Sequence, residues 1–255
     1  EIGVRLVGSE MCIRDSFNSF KSVGGSSESY FWLNNTGSLL NQTICGLFTG
    51  IPNYIMVPIA AKMVKKWGAR ATSIIAGLFG FFAYMTLFFV GFHPFGQTFK
   101  DHYIFNLIWV IFGLTICGLP NKILNVSGQI VTAEALDYME WKHGLRNEAL
   151  VTTVQGYFGK LATSVTGWLS GMVLTWINYV PLTDSLGNAV PQTDPTMLNG
   201  IWAVFCILPA LARGLYGVSF IIYPIHGDLQ QQMIIELAEK RAQRLAEQEA
   251  KDHQA

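Results

Sequence analysis

Five long apolar runs, parted by short polar links, constrain this chain more than any other feature. They fall at about 39–61, 71–92, 103–131, 149–178 and 197–223 of the 255 residues. Each reaches the roughly 20 residues that a helix needs to cross a bilayer. Only 13% of the residues are Asp, Glu, Lys or Arg, where a soluble domain carries about a quarter. Length and charge together predict an all-α polytopic membrane protein. Pro52 and Pro58 inside the first run fit that reading, because membrane helices tolerate proline when neighbours re-satisfy the backbone.

The links give an orientation. Lys62, Lys65, Lys66 and Arg70 crowd the link after the first run, whereas 178–197 holds neither Lys nor Arg. Positive residues favour the cytoplasm, so the first link is expected inside and the second outside. The C-terminus then falls inside. Five spans with that arrangement begin outside, which leads us to expect an odd number of further spans upstream. Residues 17–38, with GGSSES at 24–29, read as an extracellular or periplasmic loop. Residues 1–16 fit no element. Their RLVGSEMCIRDS resembles translated adapter sequence, and the segment is read as a non-native junction. Residues 226–255 form a polar tail with an apolar stripe, Leu229, Met233, Leu237 and Leu245, and an Asp228–Gln231 capping box. A cytoplasmic helix packed on the bundle is expected there; a membrane-surface helix is the alternative.

Several function classes drop out. A net charge of zero gives no sign of nucleic acid. The four cysteines are scattered and lack CxxC spacing, and no two histidines sit at helical spacing for a metal. Neither a nucleophile elbow nor a P-loop nor a dinucleotide fingerprint is present. An integral-membrane enzyme would need paired His or carboxylates within the spans, and the runs contain none. The expectation is therefore no enzyme, no metal site and no bound cofactor.

The chemistry concentrates in 132–160. Lys160 lies about 11 residues into its run, roughly 16 Å deep at 1.5 Å per residue, near the middle of a hydrocarbon core about 30 Å thick. A lysine there costs about 2.5–3.5 kcal/mol on insertion scales. Thr153, Tyr157, Lys160 and Ser164 share its helical face. Beside them run Gly159, Thr163, Gly167 and Gly171, a stripe that lets helices approach. One face is expected to pack and the next to line a wet cavity, with Lys160 meeting substrate or balancing a carboxylate. The alternative is a structural ion pair. Lys122 and Asn125, on one face with Gln129, are candidates for the same cavity. Arg213 is expected to be structural. Glu134, Asp137, Glu140, Lys142 and Arg146 mix signs on a short link. Such exposed pairs contribute only about 0–1 kcal/mol each, but together they are candidates for a cytoplasmic gate between moving halves.

ALDYMEWKHGLRNEAL at 135–150 resembles the ADxxDYGEWKTGxRxEG signature of the glycoside–pentoside–hexuronide:cation symporters, the melibiose-carrier branch of the major facilitator superfamily. The ending LPALARGLYGVSFIIYPIHGDLQQQMIIELAEKRA resembles that family's final helix and tail, and KKWGAR its short basic link. The resemblance covers about 39–245. It implies helices 8–12 of a twelve-helix transporter that couples sugar, glycoside or hexuronide uptake to Na⁺, Li⁺ or H⁺ in the inner (plasma) membrane. It places Lys160 and Gln155 at the sugar and cation site, and Asp137, Glu140 and Arg146 among the loop charges. The family's cation carboxylates would lie in an absent N-terminal bundle, the partner this reading requires. Two departures stand out: Glu134 occupies a usual aspartate position, and Asn125 a usual aromatic one. An exporter or uncoupled facilitator on the same fold, or a non-transport membrane subunit, are the rival readings.

Overall fold

Apolar composition becomes helix almost throughout the computed structural model, which describes residues 28–90, 103–144, 148–183, 189–191, 193–221 and 227–252. In chain order the elements are α1 (Leu40–Val90), α2 (Tyr103–His143), α3 (Glu148–Trp176), the strands β1 (Leu182–Thr183) and β2 (Ala189–Val190), α4 (Pro195–Ser219) and α5 (Asp228–Asp252). A further helical stretch occupies 28–36. The strands pair antiparallel, Leu182 opposite Val190, inside the expected outer link.

Helix α1 runs 51 residues. Unbroken, that is about 76 Å, more than twice the hydrocarbon thickness. Gly68 breaks it at φ 80 and ψ 159, a left-handed conformation that glycine adopts without a Cβ penalty. The two helical halves match the first two apolar runs. Among the described residues three helices, Leu40–Val90, Tyr103–Lys142 and Pro195–Ser219, are long and apolar enough to cross a membrane. Helix α3 is long enough at 29 residues, but Thr152, Thr153, Gln155, Lys160, Thr163 and Ser164 make it too polar to join them.

Two stretches differ from the sequence reading. The 17–38 loop is helical over 28–36, where Phe31 and Trp32 are fully buried. Phe31 stacks on Phe205 at 4.7 Å and 9° and meets Trp202 at 5.3 Å. Burial of two aromatic rings, about 150–250 Å² each, outweighs the turn-forming character of the flanking serines and glycines. The charged 132–148 link is mostly not a link either. Helix α2 continues through it to His143 and ends at Gly144, whose φ of 69 and N–H bond to the Glu140 carbonyl (2.8 Å) form a glycine stop.

Two cores stack along the bundle. One joins Phe31, Trp32, Tyr84, Val110, Cys117, Trp202 and Cys206. The other joins Ala60, Val64, Ile123, Leu124, Val131, Tyr216, Phe220 and Met233. Where α1 crosses α4, Gly77 and Gly217 meet backbone to backbone. Helix α4 starts at Asp194, whose carboxylate accepts from Thr196 N (3.0 Å), followed by Pro195 in the first turn. At the far end of α4, the Arg70 guanidinium donates to the Phe220 and Ile221 carbonyls.

Candidate functional site: the polar face of α3 and the acidic end of α2

Helix α3 stands apart. Val151 and Thr166 are its only buried side chains among those described. Thr153, Tyr157, Lys160 and Ser164 form the expected single face, and that face is exposed, with Tyr157 at 61%. The neighbouring stripe does not pack as expected. A Cβ built on Gly159, Gly167 or Gly171 meets nothing within 4 Å. Among the described residues nothing faces these glycines, and the polar face lines open space rather than an enclosed cavity.

The hydroxyls of α3 are satisfied locally. Thr153 donates to the Ala149 carbonyl (2.7 Å), Thr163 to Gly159 (2.9 Å), Ser164 to Lys160 (3.1 Å) and Thr166 to Ala162 (2.6 Å). Each closes on the preceding turn, so the helix can carry hydroxyls in an apolar medium without leaving donors unmet. The Lys160 side chain, by contrast, is exposed on the open face.

The remaining cavity candidates lie on α2. Lys122 rests over the Tyr54 ring, its Nζ 5.3 Å from the centroid, and Asn125 is exposed. Neither hydrogen-bonds to Lys160. A polar link between α2 and α3 is Gln155, whose Nε2 donates to Thr132 Oγ1 at 3.4 Å. The structure thus places Gln155 against α2 and leaves Lys160 on the open face.

The acidic end of α2 is better ordered. Arg241 of α5 reaches Asp137 at 2.8 Å and also pairs with Glu140. Its guanidinium is held above its ordinary value by the hydrogen bond it donates to Glu140 and then by the one it donates to Asp137. Gln230 Nε2 donates to Glu134 Oε1 (2.7 Å), and Trp141 Nε1 donates to Glu236 Oε2 (2.7 Å). Lys142 lies exposed over Tyr138, its Nζ 3.4 Å from the phenol oxygen. Arg146 falls outside the described residues. Three of the five gate candidates therefore face the tail helix. Sequence reasoning missed Arg241, Glu236 and Gln230. Their one signal is position: all three lie within two turns of the buried Met233 and Leu237 that seat α5.

Arg213 is buried at 5% exposure. Its guanidinium lies 4.3 Å from the Tyr84 ring centroid, and Nη1 donates to the Pro209 carbonyl (3.2 Å). A cation–π contact and a carbonyl of its own helix give it a packing role between α1 and α4.

A family described as MFS/sugar transport protein matches residues 22–227. The chain belongs to that family. Among its relatives, a Bacillus subtilis protein named as an uncharacterized symporter, YjmB, is 29% identical over 214 residues, which is 83% of this chain and 42% of that protein. The isoprimeverose transporter of Lactiplantibacillus pentosus is 28% identical over 120 residues, 46% of this chain and 23% of the transporter. The chain thus spans less than half the length of the relatives it matches. Membership of this MFS/sugar transport family bears out the resemblance carried by the 135–150 motif. That family and these relatives are transport proteins rather than enzymes.

Proposed function

We propose that the chain forms the five-span C-terminal part of a secondary active transporter, which moves a sugar, glycoside or hexuronide in symport with Na⁺, Li⁺ or H⁺ by alternating access. The observation that carries this reading is the isolated polar face of α3. Thr153, Tyr157, Lys160 and Ser164 share one exposed face with a bare glycine stripe beside it. A charged face in a spanning helix needs a wet lining or a partner charge. In an alternating-access protein both come from a second bundle that rocks against the first around a midplane site.

On this reading Lys160 donates to substrate hydroxyl or carboxylate oxygens and balances carboxylates that hold the cation on the facing bundle. Gln155, Tyr157, Thr153, Ser164, Asn125 and Lys122 contribute to the same lining. Glu134, Asp137, Glu140, Lys142 and Arg146 belong to the cytoplasmic gate, and α5 lies on the cytoplasmic side of the inner membrane. No covalent step is involved; the cation gradient supplies the work.

The test joins the chain to the N-terminal bundle of a relative such as YjmB. Uptake of labelled glycosides and hexuronides into cells is then followed with and without a Na⁺ or proton gradient. Accumulation that needs a gradient, and is lost in Lys160→Ala, is expected. Accumulation indifferent to every cation gradient would sink symport, and an active Lys160→Ala protein would remove the lysine from the site.

A further inference from the structure

We propose that the solute bound by this chain carries a negative charge, a carboxylate on the sugar, and that Lys122 of α2 is the residue that reads it. The five apolar runs hold three cations, Lys122, Lys160 and Arg213, and neither Asp nor Glu. Arg213 is taken up by the Tyr84 ring and the Pro209 carbonyl. Lys122 is half-buried, with its Nζ 5.3 Å from the Tyr54 ring centroid. Among the described residues it has neither an ion pair nor a hydrogen bond. Tyr54 lies midway between Leu40 and the Gly68 bend, about 21 Å from each at 1.5 Å per residue, so the ammonium sits near mid-span. Close packing brings it there. A Cβ on Gly118 would come within 2.6 Å of both Asn53 Nδ2 and Oδ1, and that approach of α1 to α2 carries the next residue, Tyr54, to Lys122.

A cation at that depth is costly to insert and calls for a partner charge or water. The Tyr54 ring meets part of that need: its face attracts the ammonium but offers no lone pair to the three N–H donors. From Lys122 a polar edge of Asn125, Gln129 and Thr132 follows one face of α2 to the point where Gln155 docks, and Asn125 and Gln129 are exposed. These groups are neutral amides and a hydroxyl. They suit sugar hydroxyls and cannot balance a charge. A neutral sugar therefore leaves the Lys122 ammonium without an anion. A carboxylate accepts from it in a charge-assisted bond, stronger than a neutral hydroxyl can make. The inference rests on the transport reading and narrows it. On that reading Lys160 balances the carboxylates of the facing bundle, which leaves Lys122 for the solute.

The experiment measures equilibrium binding to the chain joined to the N-terminal bundle of YjmB, purified in detergent. The probes are methyl glucuronide and methyl glucoside, which differ only at C6. The glucuronide should bind roughly ten-fold more tightly or better, as one charged hydrogen bond implies. Lys122→Met should weaken glucuronide binding roughly ten- to a hundred-fold and leave glucoside binding nearly as it was. Lys122→Arg, which keeps the charge, should retain most of the preference. Equal affinity for the two sugars in the parent protein would overturn the proposal. So would a Lys122→Met protein that loses both sugars alike, the result expected of a structural lysine or of one paired with the facing bundle. No gradient is applied. A protein that prefers the glucuronide yet fails gradient-driven uptake loses symport and keeps Lys122 as the anion reader, and a gradient-driven carrier with no preference does the reverse.

Discussion

At the scale of the residue, glycines separate the packed part of the molecule from the open part. A Cβ added at Gly77 would lie 2.5 Å from Gly217 Cα and 2.9 Å from the Arg213 carbonyl oxygen. Both neighbours are backbone, so the helices themselves must part. Gly77→Ala is expected to destabilise the bundle by about 1–3 kcal/mol, the usual cost of overpacking. Gly159→Ala meets open space and removes a flexible residue from a helix. It should stabilise the chain by up to about 1 kcal/mol. Thermal unfolding of the two variants in detergent checks the contrast. Equal effects would mean that α3 packs within this chain after all. Side chains tell the same story: Arg213 sits in a slot that Gly80 leaves open, since a Cβ there would come within 2.7 Å of Arg213 Cδ, while Lys160 has no such enclosure. Both lie inside apolar runs, yet of the two only Arg213 is enclosed by the described residues.

At the scale of the element, helix 28–36 is the piece the sequence concealed. Its flanks, GGSSES and Asn34-Asn35-Thr36-Gly37, carry turn chemistry, and nine residues are too few for a convincing helical period. Only the distant partners Trp202 and Phe205 make Phe31 a core residue. If the stretch is a buried cap over the bundle, Phe31→Ala should cost about 3 kcal/mol, as for aromatic truncation in a core, and should quicken proteolysis within 28–41. If it were a surface loop, the variant would unfold like the parent. Other contacts tie it to α1, α2 and the link after α3: Asn34 to Tyr179 (3.4 Å), Tyr30 to Tyr179 (5.3 Å between rings), and Thr36 through Asn41 to Tyr103. The apolar runs were legible because composition alone decides them. The end of α2 was not, because Glu134, Asp137 and Glu140 read as solvated charges until their partners Gln230 and Arg241, about a hundred residues later, are folded against them. Spacing gave the polar face of α3 correctly, for a helical face follows from 3.6 residues per turn, but spacing cannot say what the face looks onto.

At the scale of the whole molecule, the asymmetry of charge predicts which way the bundle lies. Lys62, Lys65, Lys66 and Arg70 gather around the Gly68 bend, and Asp137, Glu140 and Arg241 meet where α5 docks. Met233 of α5 shares a core with Val64 and Ala69 beside that bend, so the basic bend and the docked α5 occupy one end. Asn41, Tyr103, Tyr179 and the β1–β2 hairpin mark the other, joined by the contacts of helix 28–36. By the positive-inside rule the basic end is expected in the cytoplasm, and α5 with it, because Met233 lies in the same core. The prediction is tested with two single cysteines in a background lacking the native ones: Trp67→Cys at the bend and Val180→Cys before the hairpin, both at exposed positions. In intact spheroplasts an impermeant maleimide should label position 180 and spare 67 until the membrane is opened. The reverse pattern would invert the molecule and place α5 outside. Labelling of both positions from one side would break the shared-core argument, because the bend and the hairpin could not then lie at opposite ends of the bundle.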